Sequence, residues 1–228
     1  MRFDPPVTHV YNPLDYAAAG NAAYLSLARS TTEVLFLGMN PGPWGMAQTG
    51  VPFGEIAAVN DFIGIHPAID RPDNEHPKRP IVGMACTRSE VSGRRLWGLF
   101  ADRFENAAEF FKHHFVINYC PLVFMESSGR NHTPDKLPAA TRRQLDQICD
   151  EHLIEVIDTL SPRHLIGVGV YAEKCFRRVL PKLSIDPPFV DRVLHPSPAS
   201  PAANRDWAGK ATRSLVDAGV WPSDSPAD

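Results

Sequence analysis

A stiff loop after a short apolar segment carries the first side chain suited to chemistry. In FLGMNPGPWGMAQTGVPFG, residues 36–54, the amide of Asn40 stands directly before Pro41, and Pro43 stiffens the turn further. A neutral amide is too weakly basic to be a general base, but it can orient a water molecule. A positioned water suits the hydrolysis of a glycosidic bond, because the sugar is already cationic in the transition state.

Three other side chains complete this chemistry. His195 precedes the rigid stretch PSPASP and is suited to donate to an anionic leaving group. Asn118 offers an acceptor and two donors, which match the N3–H and O4 of uracil and oppose the order in cytosine. Phe53 is suited to stack on a base. Each also fits a structural role by itself: a turn for Asn40, a backbone partner for Asn118 and a core position for Phe53.

The elements that must position these side chains alternate along the chain. Apolar segments rich in β-branched or aromatic residues predict strands at 33–38, 115–120, 164–169 and 189–195. Apolar residues at three- and four-residue spacing predict helices at 14–28, 53–64, 90–104, 140–160, 171–180 and 204–219. This alternation predicts an α/β fold, a three-layer sandwich with a central, mainly parallel four-stranded sheet flanked by helices.

The site residues follow the predicted strands. Asn40 comes two residues after the first strand, Asn118 lies near the end of the second, and His195 closes the fourth. Ligands bind at the carboxyl ends of the strands in such sheets. We therefore expect the three side chains to converge at one edge of the sheet, and this convergence is the main functional signal.

The composition limits the class of protein. A chain of 228 residues with 43% hydrophobic residues predicts one domain over 1–228, with a core at about 30–220. No run of about 18 apolar residues occurs, and MRFDPPVTHVYNPLDY does not resemble a signal peptide. We therefore expect no membrane contact, and a location in the bacterial cytosol or the eukaryotic nucleus. The formal charge of −3 means that nucleic acid must meet a local basic patch, backbone amides or hydroxyls.

Other reactive residues favour structural roles. The cysteines are far apart and form no C-x-x-C pair, so buried thiols are expected rather than a metal site. They are Cys86, Cys120, Cys149 and Cys175. The pair His113–His114 predicts a solvated turn, because adjacent side chains diverge. The polar tail WPSDSPAD, residues 221–228, is expected to fray.

Five segments resemble, in order, the motifs of the single-strand-selective monofunctional uracil-DNA glycosylases, within the uracil-DNA glycosylase superfamily. They are GMNPGPWGMAQTGVPFGE, SEVSGRRLWG, NYCPL, SGRNHTP and HPSPASPAAN, and the resemblance runs from about Leu35 to Gly219. It implies a uracil-DNA glycosylase-like fold and a base-excision repair enzyme without metal or organic cofactor. Such an enzyme flips uracil, or an oxidised 5-methyl derivative, out of DNA and hydrolyses the N-glycosidic bond.

The resemblance also implies roles for individual residues. Asn40 takes the water-positioning role, His195 the leaving-group role, Asn118 the recognition of the base edge, and Phe53 the stacking role. The residues that would line the base pocket are Met39, Gly42 and Met46. The absence of a side chain at position 42 fits a tolerance for substituents at the 5-position of uracil.

Two segments match the DNA-contacting loops of the family. They are Ser128, Gly129, Arg130 and Asn131 in the first loop, and Ser197, Pro198, Ala199 and Ser200 in the second. Animal relatives carry at the position of Ala199 an arginine that wedges into the duplex, so this chain departs from the family there. Arg94 and Arg95 either approach phosphates or form a solvated helix face.

Two alternatives remain open from the residues. GVGVYA, residues 167–172, matches G-x-G-x-x-A after a predicted strand, with Asp186 or Asp191 about 20 residues on, as in dinucleotide enzymes. A non-catalytic binder of damaged or single-stranded DNA would keep Phe53 and Asn118 but need neither Asn40 nor His195. The favoured hypothesis is a monomeric enzyme whose partner is DNA containing uracil or modified uracil, with the preferred lesion open.

Overall fold

A sheet of four parallel strands forms the centre of the protein, which we describe over residues 1–223 of a computed structural model. The strands of the chain are β1 (Val7–Tyr11), β2 (Val34–Gly38), β3 (His114–Asn118), β4 (Val123–Glu126), β5 (Asn131–His132), β6 (His164–Val168) and β7 (Phe189–Val193). The central sheet has the order β3-β2-β6-β7 and is flanked by helices. The predicted four-stranded parallel sheet is confirmed.

The helices connect and cover these strands. They are α1 (Pro13–Tyr16), α2 (Ala18–Leu25), α3 (Met46–Thr49), α4 (Val91–Arg103), α5 (Ala107–His113), α6 (Ala139–Leu160), α7 (Val170–Val179) and α8 (Ala203–Asp217). A π-helix covers Ala58–Ile63, and short 3₁₀ turns cover Gly83–Ala85, Pro134–Lys136 and Leu180–Lys182. The last four predicted helices are found as α4, α6, α7 and α8.

Two predicted helices differ from the structure. The helix predicted over 14–28 is broken at Ala17, whose φ of −112° and ψ of 28° are not helical. Contacts with the following loop accompany the break, because the Tyr16 hydroxyl donates to Ala47 O and Asn21 donates to Gly50 O. The helix predicted over 53–64 does not include Phe53, whose backbone has a positive φ. The short helices α3 and α5 were not predicted.

A second, antiparallel sheet was also not predicted. It has the order β1-β4-β5, and Val10 pairs with Phe124 more than a hundred residues away. Its last strand is only two residues long, which is too short for a local sequence pattern to predict it. This sheet carries the turn between β4 and β5, which contains one of the predicted DNA-contacting segments.

The core lies around β2 and β3, in which every residue is buried. Aromatic rings fill the space beside β2, with Phe100 and Phe110 ring centroids 4.4 Å apart and Trp97 fully buried. Burial of the Trp97 side chain in this cluster contributes about 1.5–3 kcal/mol of hydrophobic stabilisation. All four cysteines are buried free thiols, as expected.

The predictions for His114 and for Trp221 were wrong. His114 is not in a solvated turn: it begins β3, is buried, and donates from Nδ1 to Phe110 O. Burial lowers the pKa of His114 to about 4, so its free Nε2 accepts from the indole N–H of Trp221 at 3.2 Å. Trp221 is therefore anchored rather than frayed, while residues 224–228 of that tail lie outside the described part of the chain.

Candidate active site

The register of the central sheet brings the predicted residues to one edge. Gly38 and Asn118, the last residues of β2 and β3, are direct neighbours in the parallel ladder. Val168 and Val193 end β6 and β7 in the same way. Asn40 and His195 each follow their strand by two residues. The expected convergence is therefore present.

A cavity of about 330 Å³ opens at this edge. Its lining residues are Met39, Asn40, Pro41, Gly42, Met46, Phe53, Glu90, Ser92, Asn118, Asn131, Thr133, His195 and Ser197. The structure thus brings together all seven residues predicted for catalysis and base binding. Two residues of the predicted DNA-contacting segments, Asn131 and Ser197, lie in the same wall.

Asn40 is held by its amide nitrogen. Nδ2 donates to Leu122 O at 3.1 Å, and the amide oxygen has no hydrogen-bond partner within residues 1–223. The loop is also hydrogen-bonded to the segment that follows β3, because Cys120 N donates to Met39 O at 2.9 Å. The structure therefore leaves one acceptor of Asn40 available in a fixed position.

His195 is held in a defined tautomer. The backbone N–H of Ser197 donates to Nδ1 of His195 at 3.1 Å, so Nδ1 is the unprotonated nitrogen and the ring proton lies on Nε2. Burial lowers the pKa of His195, which further favours the neutral ring. A neutral imidazole with a fixed Nε2–H is a hydrogen-bond donor at the cavity wall.

Asn118 has an unmet hydrogen-bonding capacity. Its Oδ1 is buried without a partner, and its Nδ2 lies 3.2 Å from the Met46 sulfur, a weak acceptor. Glycine at position 38 leaves room for the Asn118 side chain and the Phe53 ring, because a Cβ there would overlap both the Asn118 amide oxygen and the Phe53 ring. A buried acceptor without a partner is costly, so this amide is set up to meet a ligand.

Phe53 occupies a strained backbone position. Its φ of 54° lies in the left-handed region, which bulky residues rarely adopt and which concentrates at functional sites. Neighbouring hydrogen bonds hold the turn: the Trp97 indole donates to Pro52 O and Thr49 Oγ1 donates to Gly54 O. The Phe53 ring centroid is 6.5 Å from that of His195. The ring therefore forms a fixed apolar wall of the cavity.

Glu90 is a lining residue that sequence reasoning missed. Its carboxylate accepts from Trp44 N at 3.3 Å and lies directly beside Gly42, where an added Cβ would overlap it. Burial raises the pKa of Glu90. A glutamate just before a helix is commonplace, so the only available signal was its place in the motif SEVSG. The carboxyl group of Glu90 therefore borders the cavity beside Gly42.

The DNA-contacting segments differ in their placement. Ser128 and Arg130 are exposed in the β4–β5 turn, with Gly129 between them at a φ of 80°. Asn131 instead points into the protein: its Oδ1 is buried without a partner, beside the cavity. Asn131 therefore lines the cavity, whereas Ser128 and Arg130 lie on the outer surface.

The second segment, residues 197–200, forms a turn at the rim of the cavity. Pro198 and Ala199 are exposed, and Ser200 N donates to Ser197 O at 3.0 Å. Arg95 braces this turn by donating to Pro196 O at 2.9 Å and to Asn204. Arg95 is therefore engaged in supporting the loop, whereas Arg94 is exposed on the helix surface.

The GVGVYA motif is a strand–turn–helix unit, as a dinucleotide site requires, but the side chain of His195 packs against its turn. Gly169, at a φ of 94°, separates β6 from α7. A Cβ on Gly169 would lie 3.0 Å from Cβ of His195. The turn is thus packed against a residue of the cavity described above.

Fold and site together define the class of protein. The family model described as the uracil DNA glycosylase superfamily matches residues 26–227, and this chain belongs to that superfamily. The crystal structure of wild-type SMUG2 from Pedobacter heparinus has a similar fold, with a TM-score of 0.68 over 95% of this chain and 91% of that one, at 18% identity.

Curated relatives narrow the class to one family. Single-strand selective monofunctional uracil-DNA glycosylases from Rattus norvegicus and Mus musculus are 48% and 47% identical over 97% of this chain and 80% of their own length. The protein of the same name from Bos taurus is 45% identical over 97% of this chain and 82% of its own. The chain is a member of this family, as its motifs predicted. Within residues 1–223, no helix is long and apolar enough to cross a membrane.

Proposed function

We propose that this protein is a monofunctional DNA glycosylase that hydrolyses the N-glycosidic bond of uracil and 5-substituted uracils in single- and double-stranded DNA. One observation carries the proposal: a single cavity holds an amide oxygen, a buried unpartnered amide and a neutral imidazole, which are the groups the reaction requires. The family membership of the chain supports the same assignment.

Base recognition rests on Asn118. Uracil N3–H donates to the unpartnered Oδ1, and O4 accepts from Nδ2, replacing the weak contact with the Met46 sulfur. Cytosine presents an acceptor at N3 and a donor at N4, so both contacts would become repulsive. Sites of this kind reject the wrong partner by roughly 10⁴–10⁵, because buried groups are left unpaired. Phe53 covers one face of the base.

Cleavage of the bond creates a negative charge on the base and a positive charge on the sugar, and a different residue acts at each. The C1′–N1 bond breaks with its electron pair going to the base, and the Nε2–H of His195 stabilises the negative charge at O2 of uracil. The sugar becomes an oxocarbenium-like cation, which a water held by the Asn40 amide oxygen attacks at C1′. The water then loses a proton to solvent, and an abasic site remains.

The deciding experiment is a single-turnover assay on a uracil-containing strand, with hot alkali to cut abasic sites. Asn40→Ala should lower the cleavage rate by several orders of magnitude and leave DNA affinity nearly unchanged, because the water matters mainly in the transition state. Asn74→Ala, an exposed amide outside the cavity, is the matched control.

The same assay tests the alternative of a non-catalytic binder. Such a protein would leave no abasic sites with the wild-type chain at any enzyme concentration. A near-normal rate in Asn40→Ala would instead retain the activity but remove the role of Asn40.

A further inference from the structure

Four cations belong to segments that adjoin the residues lining the cavity. Lys78 and Arg79 belong to the segment HPKRP, Arg88 precedes the cavity-lining Glu90 by two residues, and Arg130 is in the β4–β5 turn. The Lys78, Arg88 and Arg130 side chains are exposed, and Arg79 is half-buried. We call these four residues the basic rim.

Trp44 fixes one end of the basic rim beside the cavity. The guanidinium carbons of Arg79 and Arg88 lie 5.1 Å and 4.7 Å from the centroid of the Trp44 ring, within the range of cation–π attraction. Trp44 in turn donates its backbone N–H to Glu90, which lines the cavity. Two guanidinium groups are therefore held by Trp44, which belongs to the loop of residues 39–45 that carries Asn40; we call it the catalytic loop.

The β4–β5 turn fixes the other end. A Cβ added to Gly129 would lie 3.2 Å from Lys78 Cβ and 3.5 Å from Arg79 Cζ, so the two segments are in contact. Asn131, two residues later, lines the cavity. Segments 76–80 and 126–131 therefore form one continuous surface that ends at the base pocket.

The cations of the basic rim have no ion-pair partner in the described part of the chain. Over residues 1–223, none of the four makes an ion pair, and Arg79 Nε is buried without a hydrogen-bond partner. The carboxylates of neighbouring segments have other partners: Glu126 contacts His132, Glu75 accepts from Ile81 N and Glu90 accepts from Trp44 N. In a chain of formal charge −3, this is a local concentration of available positive charge.

We propose that the basic rim binds the phosphates of the DNA strand on one side of the flipped nucleotide. The proposal rests on the proposed function, which makes DNA the substrate. The other loop at the cavity, residues 197–200, carries the hydroxyls of Ser197 and Ser200, and its backbone N–H groups are already hydrogen-bonded within the turn. Its nearest described cation is Arg95, which braces the turn through Pro196 O and Asn204. Exposed cations that contact phosphates release counterions, so their contribution appears in the salt dependence of binding.

The test measures the affinity for a single-stranded oligonucleotide of thymidine, without uracil, at several salt concentrations. The double variant Lys78→Gln/Arg88→Gln should reduce the slope of log affinity against log salt by about 1.4, since each lost phosphate contact on a single strand removes about 0.7. The control Arg163→Gln/Lys182→Gln removes the same charge from exposed positions before β6 and after α7, away from the carboxyl ends. Its slope should equal that of the wild type.

Two results would overturn the proposal. The rim variant could keep the wild-type slope, or the control could lose as much slope as the rim variant, which would mean that only total charge matters. Thermal unfolding of each variant shows that the fold is kept. Cleavage of a uracil strand by the wild type is measured separately, so that a failure of the glycosylase assignment is distinguished from a failure of the basic rim.

Discussion

His195 is the residue whose protonation state most directly limits the proposed reaction. A second proton would go to Nδ1, which now accepts from Ser197 N, and burial disfavours the charged ring. Because both effects oppose protonation, the neutral donor form persists to a pH below the ordinary histidine pKa of about 6.5. The alignment of the donor therefore depends on the turn that follows it.

The first prediction is a pH–rate profile. Single-turnover cleavage should be constant from neutral pH down to about 6.5 and fall only below it, because the folded pKa of His195 is lowered. Protonation of Nδ1 would remove the hydrogen bond from Ser197 that aligns the ring, and the rate would then fall. His195→Ala should be slower by about 10²–10³ and should lose this acid limb. Glu90→Gln is the control, since Glu90 is the other ionisable side chain that lines the cavity and burial raises its pKa. An acid limb that survives in His195→Ala but not in Glu90→Gln would assign it to Glu90.

The second prediction concerns the base-recognition amide. Asn118→Asp should slow uracil release and increase cytosine release, because a carboxylate accepts from the N4 amine and no longer donates to O4. Both products are measured on the same strand. Asn131→Asp introduces the same change at another cavity amide whose oxygen is buried without a partner, and it is the matched control. Intact uracil release with inert cytosine in Asn118→Asp would exclude this residue as the recognition group.

At the scale of elements, the β6–α7 turn explains a motif that resembled a dinucleotide site. Gly167 allows α7 to pack closely, because a Cβ there would overlap Glu173 N, and Gly169 turns the chain at a positive φ. The His195 side chain lies against Gly169, with Cδ2 3.3 Å from an added Cβ. The two glycines therefore support the packing of the helix and the placement of His195.

The third prediction tests this placement. Gly169→Ala should slow cleavage by up to about 10²-fold, since displacing a catalytic group by about 1 Å has an effect of that size. Gly64→Ala is the control: its φ of 76° and ψ of 31° lie in the left-handed region, where alanine costs roughly 1–2 kcal/mol, and no atom lies within 4 Å of an added Cβ. Gly169 has a φ of 94° and a ψ of 168°, a region almost restricted to glycine, so its variant should lose more stability. Both variants should lower the free energy of unfolding, and only Gly169→Ala should lower the rate. Equal rates in the two variants would leave Gly169 with a purely structural role.

At the scale of the whole molecule, the question is how the protein obtains a flipped base. Extracting a base from a duplex costs a few kcal/mol, least from a single strand, and an inserted side chain helps by filling the vacated space. Ala199 is exposed at the rim but is too short to do so. We therefore expect a preference for single-stranded uracil DNA, and for U·G over U·A pairs.

The fourth prediction is that Ala199→Arg raises the ratio of duplex to single-strand cleavage rates at fixed salt. The added cation also attracts phosphates in both substrates, so the ratio, not either rate, is informative. Ala202→Arg places the same charge at an exposed position three residues away and should leave the ratio unchanged. A ratio that does not respond to Ala199→Arg would mean that another loop, such as the one holding Arg130, inserts into the duplex.

Local patterns were sufficient for the central sheet and for most of the site. Strands β2, β3, β6 and β7 are rich in apolar residues, mostly β-branched or aromatic, so their positions follow from composition, and their parallel alignment follows from the helices between them. Asn40, Asn118 and His195 were placed correctly because the carboxyl ends of parallel strands share an edge.

The remaining features depend on contacts between distant parts of the chain. β1 pairs with β4 across more than a hundred residues, and Trp221 meets His114 across a similar distance. Glu90 enters the site only because α4 packs against the catalytic loop, and the basic rim exists only because two separate loops meet. Such contacts leave no periodic signal in the chain, because each joins residues that are far apart in the sequence and is stabilised by burial and hydrogen bonding of the folded structure.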